Sequence, residues 1–437
     1  DPVERVAEIT WVPEKTIVAA ARFYAKSKPA AIHWGVPIDM TPAITPTVQA
    51  ITALWCLTGN LDVPGGNVIS RYAFDAVAYA LPGAEGIIKL KSDEMDKKRI
   101  GADRYGPLRK FIWRAQTDLV LDQIFSQDPY PIKGMWIQTC NPLAGIGLDP
   151  QRWREALKRL DFVAVVDLFM TPTAQYADVV LPASTFLEKE SVRSWWVPRQ
   201  TINKAIEVEG CRSELESNFE LAKRFDPEFR WDTVLELFDD SVRPAGMTFE
   251  QLQEQGWAFP PEGHPSHPYP RYQQGLLRPD GQPGFQTPSG KMELHSILRE
   301  DWGSEPLPDY EEPPFTPVSQ PELLKEYPLI LSTGRRSAVF FHAEHRNIPW
   351  LRELDPDPLV EIHPDTAKSL DISGGDWVWI ENWMGRCRFR AKVTLEVPPW
   401  MVMATHGWWF PEEPAEEPSL YGVWKSNINQ LIPMGYQ

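Results

Sequence analysis

Cysteine is scarce in this chain. Its 437 residues include four, Cys56, Cys140, Cys211 and Cys387, and no two share a C-x-x-C spacing. Sequence-local ligands for zinc or an iron–sulfur cluster are therefore missing. A disulfide framework is not expected at this density, and the thiols read as structural or incidental. No run of about eighteen apolar residues occurs, so no membrane span is expected. Positive charge is in deficit, with 44 Lys and Arg against 60 Asp and Glu for a net charge of −16. That argues against nonspecific nucleic-acid binding, which needs a basic phosphate-neutralising surface. The opening Asp1-Pro2-Val3-Glu4 has neither an initiator methionine nor the basic and apolar regions of a signal peptide. The sequence is therefore expected to be the middle of a longer chain. The short catalytic motifs are absent as well: there is no G-x-G-x-x-G, no phosphate loop, no H-E-x-x-H and no G-x-S-x-G.

Proline and tryptophan, by contrast, are abundant at 43 and 19. The prolines gather at 254–288 and 305–321, which predicts irregular but packed backbone there. Apolar spacing predicts a helix over 13–26, a short buried strand at Ala30–Trp34 ending at Gly35, and a helix capped by Thr45 and opened by Pro46. That second helix stops at Gly59-Asn60, and Pro64-Gly65-Gly66 forms a turn. Residues 107–125 predict helical pieces. Beyond them the pattern sharpens: strands at 135–138, 162–166 and 178–181 alternate with a helix capped by Asp149 and with a short helical turn at 173–176. Such alternation predicts a parallel, doubly wound α/β sheet. Residues 187–326 read as loop and helix, with a helix at 215–225. A last domain opens near Tyr327, with strands at 329–332 and 377–380, a short helix after His363 and an alternating strand from Arg386 to Val393. This predicts a small β-barrel whose Arg386, Arg388, Arg390 and Lys392 face solvent.

Open α/β sheets bind ligands at the carboxyl ends of their strands. Three loops qualify: Gly35-Val36-Pro37, Thr139-Cys140-Asn141-Pro142 and Asp167-Leu168-Phe169-Met170-Thr171. An aspartate just after an apolar strand suits a ribose or a guanine edge, and Asn or Thr there can reach phosphate or base. The plainer alternative makes Asn141-Pro142 a turn and Asp167 a helix cap.

Seven segments in order are similar to the second half of the molybdopterin oxidoreductases, the dimethyl-sulfoxide-reductase superfamily. They are Gly59-Asn60 with Pro64-Gly65-Gly66, Asn141-Pro142, Val166 through Ala174, Ala177 through Pro182, Thr287 through Glu293, Ser332 through Arg335, and Thr405 through Trp409. The run from Phe169 through Gln175 and that from Thr287 through Glu293 most resemble the acetylene hydratase branch. That branch neighbours the thiosulfate and polysulfide reductases and the dehydroxylases.

The resemblance implies an incomplete doubly wound domain over 1–186, a connecting region over 187–326 and a double-psi-type β-barrel over 327–437. It implies a bis-molybdopterin guanine dinucleotide carrying molybdenum or tungsten. A 4Fe-4S cluster and the metal's own protein ligand would belong to an N-terminal half that nothing here aligns with. By position, Asn141, Asp167 and Thr171 should contact the guanosine and phosphate end, with Gly35 bordering it. Arg335 and Arg336, with His342 or His345, should face pterin or phosphate, a guanidinium being able to grip phosphate with two bonds. His406 and Asn427 should lie on the pterin side of the barrel. The implied activity is redox chemistry on a small-molecule substrate, with an iron–sulfur electron-transfer subunit as partner. Non-redox hydration or hydroxyl transfer is the branch alternative, and a catalytically empty nucleotide-binding or assembly subunit is the non-enzymatic one. The cytoplasm is the expected compartment, with the periplasm the alternative.

Overall fold

Strand β2 (Phe162–Asp167) lies between β1 (Gly134–Gln138) and β3 (Val179–Pro182) in a three-stranded parallel sheet. Its four residues Val163 to Val166 are all buried, as expected for a strand covered on both faces. The computed structural model describes residues 2–40, 43–68, 97–105, 115–146, 149–193, 199–243, 246–258, 269–278, 280–335 and 337–432. Two compact units make up the chain: Asp1–Ala84 with Val192–Ile202 and Leu235–Glu311, and Glu85–Ser191 with Asn203–Val234 and Glu312–Gln437. The parallel sheet belongs to the second.

Between β1 and β2 runs the helix Pro150–Leu157. Asp149 accepts the Arg152 N–H as its N-cap, and Pro150 supplies a preset first turn. Trp153, Ala156 and Leu157 then pack on Val163 and Val165 in one core. Burial of each large side chain there is worth about 1.5–3 kcal/mol. Residues far along the chain, Ala343, Trp409, Leu420 and Val423, complete the same core.

In the first unit, Val192 and Arg193 of β4 (Ser191–Arg193) join β5 (Arg199–Ile202) and β6 (Trp257–Ala258) in a small sheet. The expected strand at Ala30–Trp34 is not one. Side-chain amides satisfy its backbone instead: Ala30 N–H donates to Asn60 Oδ1 at 3.1 Å, and Asn67 exchanges bonds with Ile32 at 2.8 and 2.9 Å. The next helix spans Ile44–Leu57, so Ala43, not Thr45, is its N-cap. Gly65-Gly66 does turn the chain, and a Cβ on Gly66 would meet the Asn60 carbonyl at 2.3 Å. Within this turn Asp62, fully buried, accepts from the Arg271 side chain at 3.0 Å and from the Tyr272 N–H at 3.2 Å.

The second unit's other sheet is mixed. It runs β7-β11-β8-β10-β9, from β7 (Ile330–Arg335), β8 (Leu359–Ile362), β9 (Trp377–Asn382), β10 (Gly385–Val393) and β11 (Met401–Thr405). Cys387, Phe389 and Ala391 point into its core with Val360, Ile362 and Ala404. The opposite row of β10 faces away from that core, as its alternation predicts, with its charges partnered along the face. Arg386 and Arg388 stack on Trp379 and Trp377 at 4.6 and 5.0 Å, while Arg390 pairs with Asp357 at 2.7 Å and Lys392 with Glu361 at 3.0 Å. Among the described residues, no helix is long and apolar enough to cross a membrane.

Candidate functional site

Parallel pairing brings Gln138 level with Val166, so the chain leaves β1 and β2 on one edge. Thr139, in left-handed backbone at φ 49°, still donates to the Val166 carbonyl at 3.1 Å. Two residues on, Asn141 opens the π-helical turn Pro142–Ile146, its carbonyl accepting from Ala144 and Gly145. The Asn141 side chain faces Thr173: the Thr173 hydroxyl donates to Asn141 Oδ1 at 2.6 Å and accepts from the Leu143 N–H at 3.3 Å. Asn141 Nδ2 is buried and has no hydrogen-bond partner among the described residues. An unsatisfied buried donor costs about 1–3 kcal/mol, so it calls for a ligand acceptor or another explanation.

Asp167 ends β2, with Oδ1 accepting from the Leu168 N–H at 2.7 Å. Burial pushes its carboxyl above the usual carboxylate range, and the negative charge of Glu344 adds to the shift. Neighbouring Cys140 is raised to about 11 by burial, with Asp167 contributing, so it is a neutral thiol at physiological pH. Thr171 is buried and its hydroxyl accepts the N–H of Ala174, the first residue of the 3-10 turn Ala174–Tyr176, at 3.2 Å.

A second rim of this edge comes from residues 340–346 and 405–409. A Cβ on Gly145 would lie 3.0 Å from Ala343 Cβ, so this segment abuts the turn that Asn141 opens. His342 Nδ1 lies 3.1 Å from His406 Nε2. Trp409 Nε1 donates to the Ala343 carbonyl at 2.8 Å. Arg346, 2% exposed, donates to the carbonyls of His342 and His406 at 3.0 Å and of Gly407 at 3.3 Å.

The remaining candidates fall in different places. Arg335 ends β7 with its guanidinium engaged: it donates to Thr405 Oγ1 at 3.2 Å and pairs with Glu361 at 3.4 Å and Asp355 at 3.6 Å. Asn427 is fully buried and fully used, donating to the Leu143 carbonyl at 2.7 Å and accepting from the Asn429 N–H. It therefore braces the Pro142–Ile146 turn. His345 is half-buried in left-handed backbone at φ 69°. Gly35 belongs to the other unit, as N-cap of the short helix Val36–Asp39. Arg336 lies outside the described residues. Two important residues escaped the sequence reading, Thr173 and Arg346. Thr173 stood inside the similar segment Val166–Ala174, whereas nothing local marks Arg346.

Similarity to known proteins follows the same two regions. Residues 19–207 match the family "Molybdopterin oxidoreductase" and residues 329–436 the "Molydopterin dinucleotide binding domain". Acetylene hydratase of Syntrophotalea acetylenica is 32% identical over 94% of this chain and 58% of its own length. Dopamine dehydroxylase of Eggerthella lenta is 30% identical over 98% of this chain and 49% of its own. The chain thus spans about half the length of the curated relatives it matches. The solved acetylene hydratase from Pelobacter acetylenicus superimposes with a TM-score of 0.88 at 29% identity, over 99% of this chain and 61% of that one. The chain belongs to the molybdopterin oxidoreductase family and carries its dinucleotide-binding domain at the C-terminal end.

Proposed function

We propose that these residues are the cofactor-holding part of a molybdenum- or tungsten-dependent bis-pterin oxidoreductase acting on a small molecule. The observation that carries this reading is the buried, partnerless Asn141 amide nitrogen on the same strand edge as the Asp167 carboxylate. A guanine edge offers both an acceptor for an amide N–H and N–H donors for a carboxylate, so the residues present fit a guanine nucleotide. Thr173 sets the direction of the amide, and Thr171 shapes the turn beside it. Arg335, His342 and His406 would line the pterin side, and Asn427 would brace the turn from behind. In this reading the mixed sheet is part of a double-psi-type barrel. When bound, the metal and its pterins supply oxygen-atom, hydride or hydration chemistry, while the protein supplies binding, orientation and electrostatics.

A 4Fe-4S cluster belongs to either form of this proposal, and an iron–sulfur electron-transfer subunit to the redox form. The similarity to acetylene hydratases favours a second form, non-redox hydration or hydroxyl transfer. Metal and pterin analysis of the full-length protein, purified without oxygen, tests the reading. Molybdenum or tungsten near one per chain is expected, and a folded protein with neither metal nor pterin would reject it. Turnover without any electron acceptor would select the hydratase form.

A further inference from the structure

Arg346 is a buried cation with an unusual set of neighbours. Among the described residues no carboxylate lies within ion-pair distance, and Asp355 acts on it only through space. Its guanidinium lies over the rings of Phe340 and Trp408, at 4.1 and 4.3 Å, and the Arg352 guanidinium also lies over Trp408, at 4.5 Å. Burial lowers its pKa to about 9, a direction that marks the cost of keeping the charge there. What it receives in return is three backbone carbonyls, those of His342, His406 and Gly407.

Those carbonyls belong to the two segments that bring the imidazoles of His342 and His406 together. His342 has left-handed backbone at φ 49° and Gly407 at φ 68°. Such a conformation is unfavourable for a non-glycine residue and persists where its surroundings hold it. A Cβ on Gly407 would meet the His342 carbonyl at 2.5 Å, so the segments touch backbone to backbone.

We infer that Arg346 is the positioning residue of the His342–His406 pair, its planar fork clamping both backbones so that one imidazole hydrogen-bonds the other. The role of that pair in the cofactor site rests on the function proposed above; the clamp itself rests on this chain's geometry. Lysine can carry the charge, but its three donors sit on one nitrogen, so it does not reproduce bonds that leave Nε and Nη2 of a planar fork together. The second staple, Trp409 Nε1 to the Ala343 carbonyl, is independent of Arg346 and is expected to keep variants folded.

The test is nitrogen-15 NMR of the full-length protein with labelled histidine; this chain contributes only eight. The wild type should show one slowly exchanging imidazole proton that disappears in both His342→Gln and His406→Gln. Arg346→Met should lose it, and Arg346→Lys should show at most a weakened signal. A full-strength signal in either Arg346 variant overturns the inference, as does a wild type with no signal dependent on both histidines. If the methionine variant fails to fold, the lysine variant decides. Lack of guanine nucleotide in the wild type would reject the proposed function while leaving the imidazole result standing.

Discussion

The Thr173 hydroxyl donates to Asn141 Oδ1 at 2.6 Å, and this bond sets which end of the amide is left without a protein partner. The same hydroxyl accepts from the Leu143 N–H, so its proton is free to go to the amide oxygen. The amide orientation therefore follows from the hydrogen-bond network, and Nδ2 is the group left for a ligand.

Thr173→Val keeps the shape and removes the hydroxyl. Leu143 N–H and Asn141 Oδ1 would each lose a partner, and stability should fall by about 1–3 kcal/mol. Chemical denaturation measures this directly. Guanine nucleotide content should fall with it, because nothing then directs the amide.

Asp167→Asn should move stability and binding in opposite directions. The raised folded-state pKa of Asp167 means that the native state binds more protons than the unfolded one across that window. Stability associated with this group is thus present below its unfolded pKa and is lost as pH rises through the folded pKa. At neutral pH the buried charge is a cost, and asparagine should relieve it in nucleotide-free protein, raising the melting temperature. The gain should vanish near pH 4, while nucleotide retention at pH 7 should drop. Melting curves at both pH values, alongside nucleotide assay, check the pair of signs.

Gly407→Ala adds a Cβ where the His342 carbonyl lies 2.5 Å away and the backbone is left-handed at φ 68°. The obstacle is backbone, which cannot swing aside. A loss of at least ~1–2 kcal/mol is expected, read as a lower melting temperature.

Arg335→Ala should cost more than Arg388→Ala. Arg335 pairs with Asp355 and Glu361, both nearly buried, and its removal leaves Asp355 without its ion-pair partner, with Arg346 and Arg352 acting on it only through space. Glu361 keeps Lys392, so about 2–3 kcal/mol is expected, below the full loss of a buried pair. Arg388 loses chiefly its stack on Trp377, about 0.5–1 kcal/mol. Cofactor content should follow the same order; equal losses would contradict it.

Local patterns made much of this fold legible. The apolar run 162–166 became β2 because a strand covered on both faces needs no alternation, and Asp149-Pro150 opened its helix because cap and first-turn chemistry are local. Ala30–Trp34 misled because its backbone partners are the side chains of Asn60 and Asn67, some thirty residues away, which no periodicity records. The alternation of β10 marked which row turns away from the core, but not its stacking on Trp377 and Trp379, which depends on cross-strand register. The positions of Asn141 and Asp167 at the carboxyl ends of β1 and β2 were legible from the apolar strands before them. Thr173 and Arg346 were not, because their roles come from contacts across the fold.

The account stands most directly on the guanine nucleotide released by acid from full-length wild-type protein and from Asn141→Leu, measured side by side. Leucine fills a similar volume and removes the partnerless donor, so a folded variant is expected. The account predicts about two guanine nucleotides per wild-type chain, as two pterin dinucleotides require, and about one or fewer in the variant. Equal nucleotide content in the two proteins would contradict it.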